Sequence, residues 1–78
     1  MNDKFKITIA SDGEHERVFA ELYYGEKFVA LVSQEKDGVL EIEFPSAEMD
    51  PSMILRKIDL SSFQAALISA ALKLTVRS

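Results

Sequence analysis

Two short loops limit most severely how this chain can fold: Gly25-Glu26 and Asp37-Gly38, each standing between runs of strand-forming residues. A two-residue connection is the mark of a β-hairpin whose central residues include positive φ, which glycine adopts without steric cost. Gly25 occupies the first central position, as a type II′ turn requires, and Asp37-Gly38 is a type I′ dipeptide. Each loop therefore predicts a register. The first sets Tyr23 opposite Phe28, Leu22 opposite Val29, Ala20 opposite Leu31 and Phe19 opposite Val32. The second sets Ser33 opposite Ile42 and Leu31 opposite Phe44. Three consecutive antiparallel strands follow, over residues 18–24, 27–34 and 39–44.

An earlier strand is predicted over residues 4–10, where Phe5, Ile7 and Ile9 alternate with Lys4, Lys6 and Thr8. That period of two sends successive side chains to opposite faces. Ser11-Asp12-Gly13 is turn chemistry, and Glu14-His15-Glu16-Arg17 completes a solvated connection. Together the two loops place Val18, Ala20, Leu22, Val29, Leu31, Leu40, Ile42 and Phe44 on one side of the sheet. A slip of one residue in either hairpin would turn that strand's apolar set to the other face.

Pro45 ends the fourth strand, and residues 46–52 read as an acidic loop. Residues 54–60 fit either a short fifth strand or an irregular apolar segment; the strand is preferred because Arg56-Lys57-Ile58-Asp59 has no helical stripe. Ser61 then has the character of an N-cap, with Gln64 three residues on completing a capping box. From residue 62 to about 74, Phe63, Leu67, Ala70, Ala71 and Leu74 recur at helical spacing, with Ile68 and Leu72 widening the stripe. Lys73 and Arg77 suit the negative end of the helix dipole. Ala65, Ala66, Ala70 and Ala71 would permit a close approach to the strands. The expected fold is α+β: a four- to five-stranded antiparallel meander with one C-terminal helix packed on one face. A chain of 78 residues has material for one core, so a single domain over 1–78 is expected.

Charge and composition narrow the function. Nucleic-acid affinity rests largely on Lys and Arg displacing counterions from phosphates. Here 13 acidic residues outnumber 9 basic ones, and from Glu35 to Asp50 the only cation is Lys36. No nucleic-acid partner is expected. With no cysteine, disulfides and thiolate metal sites are absent, and a reducing compartment suits the chain. No run of about 18 apolar residues occurs and residues 1–6 lack a signal-peptide core, so a cytoplasmic protein with no membrane partner is expected.

Catalytic chemistry has little to work with. His15 is the only histidine and reads as a solvated loop residue beside Glu14 and Glu16. Glu21, Glu41 and Glu43 share the outer sheet face, where solubilising charge is the simpler reading than acid–base work. The serines lack a nucleophile-elbow context, and the three glycines stand singly beside turns. No enzyme is expected, and no catalytic, metal or cofactor site.

The outer sheet face is the feature that stands out. The predicted register gives it Phe19, Tyr23, Phe28, Ala30 and Val32, bordered by Glu21, Gln34, Glu41 and Glu43. An aromatic patch with an acidic rim is interface chemistry. The expectation is a small acidic protein-binding module of immunity, inhibitor or adaptor type. It would act through this face or a strand edge, with Phe19, Glu21, Tyr23, Phe28, Ala30, Val32, Glu41 and Glu43 as partner-binding residues. The partner would be another protein or a second copy in a homodimer. Two alternatives stand beside it: the C-terminal segment or residues 53–58 fold across the patch, or the chain is a small-molecule-binding protein or minor enzyme with a pocket between sheet and helix.

The run "AELYYGEKFVALVSQE" from Ala20 to Glu35, followed by "LEIEFP" and "ILRKIDLSSFQAAL", resembles a family of short uncharacterised bacterial proteins with an "AEIYYDGKFVALISQE"-like core. The resemblance covers most of the chain and implies a bacterial or phage origin. It brings no activity, cofactor or residue role. The chain departs from that pattern at the first hairpin, where Gly25-Glu26 replaces an Asp-Gly turn.

Overall fold

The computed structural model describes residues 5–13, 15–36 and 38–77, with side chains as far as Thr75. Lys4, Glu14, Asp37 and the Arg77 side chain, each given a place above, lie outside the described residues. Four strands, β1 (Phe5–Ala10), β2 (Phe19–Tyr24), β3 (Lys27–Lys36) and β4 (Val39–Glu43), form one antiparallel sheet in sequence order. A 3-10 turn at Pro51–Met53 and a helix, α1 (Leu60–Arg77), follow. The result is an α+β meander with a C-terminal helix on one face. No helix among the described residues is long and apolar enough to cross a membrane.

Both loops set the register they predict, but only beside the turn. Tyr24 pairs with Lys27 and Tyr23 with Phe28; then a bulge intervenes and Leu22 pairs with Ala30, Ala20 with Val32 and Phe19 with Ser33. Gly25 has φ 64° and no non-glycine residue among those described has positive φ, the sign pattern of a II′ loop. At the second hairpin Lys36 pairs with Val39, and a further bulge leads to Ser33 with Glu41, Val32 with Ile42 and Leu31 with Glu43. Each bulge adds its extra residue to β3, so the two offsets add to a shift of two residues between β2 and β4, which restores the face. Those strands keep their predicted faces, whereas the middle of β3 is inverted. Leu31 points to the outer face, and Ala30 and Val32 point to the helix.

The cause lies in the run Phe28 to Val32, which is apolar at every position. A strand that alternates pins its own register; a continuously apolar one presents an apolar row at either parity.

The core lies between the sheet and α1. Ala20 and Leu22 from β2, Val29, Ala30 and Val32 from β3, and Ala66, Ala70 and Leu74 from α1 are buried, with Phe5, Ile7, Ile9, Phe63 and Leu67 packed around them. Ala66 rather than Ala71 completes the buried helix stripe. Ile68 and Leu72 do not widen it but face solvent on the far side of the helix. The helix starts two residues earlier than expected, and its cap is Asp59. The Ser62 backbone N–H donates to Asp59 Oδ2 at 2.9 Å, and the Ser61 and Ser62 hydroxyls donate to the same oxygen at 2.7 and 3.0 Å. These bonds hold the Asp59 carboxyl below the usual carboxylate range, the Ser61 hydroxyl contributing most.

Residues 54–60 do not form a fifth strand. Ile54 makes a single parallel bridge with Phe28, and the Leu55 N–H donates to the Phe28 carbonyl at 3.1 Å. This contact uses the stretch of β3 that β4 leaves unpaired.

Candidate partner-binding surface

The outer face of the sheet is partly covered, and the connection between β1 and β2 provides the cover. Phe19 sits at the start of β2 facing outward, yet it is only 3% exposed. The His15 ring lies against it, centroids 4.6 Å apart. His15 is fixed at both nitrogens: Nδ1 is 2.9 Å from Asp12 Oδ1 and Nε2 is 3.0 Å from Glu43 Oε2, on the far side of the sheet in β4. Glu43 Oε2 also accepts from the Ser33 hydroxyl at 3.3 Å.

The same connection is tied a second time through Glu35, whose carboxylate accepts the backbone N–H groups of Glu16 and Arg17 at 2.9 and 3.1 Å. Glu35 belongs to the second bulge, and re-aiming a side chain is a common consequence of a bulge. His15 is therefore not a solvated loop residue; its side chain is 13% exposed and its pKa is raised to about 9, first by the hydrogen bond to Glu43 and then by that to Asp12.

The remaining outward residues form a smaller patch than the sequence predicts. Tyr23 and Phe28 meet edge to face with centroids 5.6 Å apart, and both are half-buried. Burial, and then the charge of Glu21 on the same face, push the Tyr23 hydroxyl above its ordinary pKa. Glu41 is exposed opposite Ser33, and Glu43 is shared with the His15 ring. Ala30 and Val32 do not belong to this face. They are 0% and 5% exposed beneath the helix, because the first bulge reverses their side of the strand. Gln34 is likewise buried. Leu31, absent from the predicted patch, takes an outward place between Glu21 and Glu43.

A second surface was not anticipated. All five residues of β4 are exposed, including Leu40 and Ile42 on the helix side, and Phe44 just beyond is 68% exposed. Width explains this. Four strands spaced about 4.8 Å apart span roughly 15 Å between the outer axes, while one helix with its side chains is about 10–12 Å across. α1 lies over β1, β2 and β3, so the helix-side row of β4 is left uncovered. Among the described residues β4 is also an edge strand, paired only with β3. At its end the row opens into a groove of about 590 Å³, floored by Val29, Phe44, Ile54, Leu55 and Phe63 and flanked by Arg56 and Lys57. The sequence did hold the signal: four apolar strand rows and one helix too narrow to cover them.

The described residues contain no group of three or more acidic, histidine or cysteine side chains placed to hold a metal ion. Comparison with protein-family models, with curated proteins and with solved structures finds no match to this chain.

Proposed function

We propose that this chain is a small protein-binding module that presents the free edge of β4, with the apolar row Leu40, Ile42 and Phe44 beside it, to another protein. The observation that supports this is the contrast between the sheet's two edges. On β1, Phe5, Ile7 and Ile9 pack against the core and exposed Lys6 guards the outer side. On β4 the corresponding row faces water, and the charges within the strand, Glu41 and Glu43, both lie on the outer side and leave that row unguarded. Native proteins usually blunt a strand edge with residues such as lysine, and an edge left open is a template for another strand. Grouped exposed apolar side chains carry the same meaning. The net charge of −4 favours encounter with basic partners, and a cytoplasmic immunity, inhibitor or adaptor role requires binding alone.

Tyr23, Phe28, Glu21 and Glu41 on the outer face form the secondary surface. A second reading, a small-molecule binder, is supported by the groove at the end of β4, whose 590 Å³ falls in the range of ligand pockets.

Affinity capture from a bacterial lysate, followed by mass spectrometry, tests the first reading. Phe44→Ser removes a mostly exposed side chain, so it should keep the wild-type circular dichroism spectrum while losing the specific partner. Capture retained by Phe44→Ser but lost by Tyr23→Ala with Phe28→Ala would move the surface to the outer face and overturn the β4 reading.

A further inference from the structure

We infer that the segment received at β4 is an extended strand from a different protein in which basic and apolar side chains alternate. This rests on the β4 reading above and adds the chemistry of the partner. β4 offers three things side by side: an unpaired backbone edge, an apolar row of Leu40 and Ile42 on the helix side, and carboxylates at Glu41 and Glu43 on the outer side. A strand added to that edge continues the pleat, so its side chains fall alternately beside the apolar row and beside the carboxylates. Opposite charges across neighbouring strands stabilise pairing and like charges oppose it. Valine, isoleucine or leucine is required in one row and lysine or arginine in the other.

The same rule argues against a second copy as the occupant. Antiparallel self-pairing centred on Ile42 buries the most apolar surface, but it sets Glu41 of each chain opposite Glu43 of the other. His15 already satisfies Glu43 Oε2, which leaves Glu41 and the other Glu43 oxygen for an incoming cation. A helix laid on the row would cover Leu40, Ile42 and Phe44 yet leave the edge and the carboxylates unmatched. An extended strand engages all three features. Beyond the strand, Phe44 and the groove can seat one further apolar side chain of the same segment.

The test uses the full chain, isotope-labelled, and three synthetic peptides of the length of β4: alternating lysine and valine, alternating glutamate and valine, and alternating lysine and serine. The lysine–valine peptide should slow amide exchange at alternate β4 positions by at least tenfold, with affinity that falls as salt is raised. The lysine–serine peptide should bind at least tenfold more weakly, and the glutamate–valine peptide should leave β4 unchanged. Glu41→Gln should weaken the lysine–valine peptide several-fold.

Equal binding of all three peptides overturns the inference. So do shifts confined to the Leu40 and Ile42 methyls without edge protection, which indicate a helix-like occupant. Concentration-dependent protection of β4 without peptide overturns it in favour of a second copy. If no peptide protects β4 but Phe44→Ser still loses the captured protein, the partner chemistry is wrong and the β4 surface stands. Capture retained by Phe44→Ser removes the surface itself.

Discussion

Protonated, the His15 ring satisfies two carboxylates at once; neutral, it can donate to only one of them. That difference is why its pKa rises from 6.5 to about 9, and it links the ring's charge to the cover over Phe19. A group whose pKa is raised by folding stabilises the fold fully below its unfolded value. The contribution of His15 is therefore complete below about pH 6.5 and fades as pH rises through about 9. A histidine-ring NMR titration should give a midpoint near 9, and Glu43→Gln should bring it down towards the ordinary value. A wild-type midpoint at or below 6.5 would contradict the clasp. The Asp12 side of this arrangement was visible as a turn three residues before His15. Its Glu43 side was not, because 28 residues separate the pair and only the sheet brings them together.

Among the elements, α1 gives the sharpest contrast between a pattern and its execution. Ser61 and Gln64 read as a capping box, yet Asp59 accepts the Ser62 N–H and organises both serine hydroxyls. Aspartate is as good an N-cap as serine, so residue preference alone did not separate the two positions. Asp59→Ala should lower the melting temperature by several degrees, and Ser61→Ala by clearly less. Thermal unfolding of the two variants checks this, and an equal or larger loss for Ser61→Ala would contradict the assignment.

Legibility followed the same division. β1 and β4 alternate, and in β2 the single charge of Glu21 marks the outer side, so their faces could be read from the chain. β3 does not alternate between Phe28 and Val32, so turn chemistry fixed its ends and left its middle undetermined. That one strand removed Ala30 and Val32 from the expected outer patch and put Leu31 there. The patch was expected to be open, with cover by the C-terminal segment or residues 53–58 as the alternative; the cover that exists comes from the first connection, through contacts to Glu35 and Glu43 that no local pattern encodes.

At the scale of the whole molecule the described residues form a thin plate, 32 × 30 × 16 Å, of one sheet and one α-helix. A helix on a four-stranded sheet must choose which strands to leave, and α1 leaves β4. The sequence made Leu40, Ile42 and Phe44 part of the interior because they share a side with Ala20 and Leu22. The side was right, and the cover was missing. The account turns on that uncovered row, which is tested directly by methyl NMR with a soluble paramagnetic agent. In the free protein the Leu40 and Ile42 methyls should relax strongly while those of fully buried Leu22 stay silent. Leu40 and Ile42 methyls as well protected as those of Leu22 would mean that β4 is already covered, and the proposed binding surface would be lost.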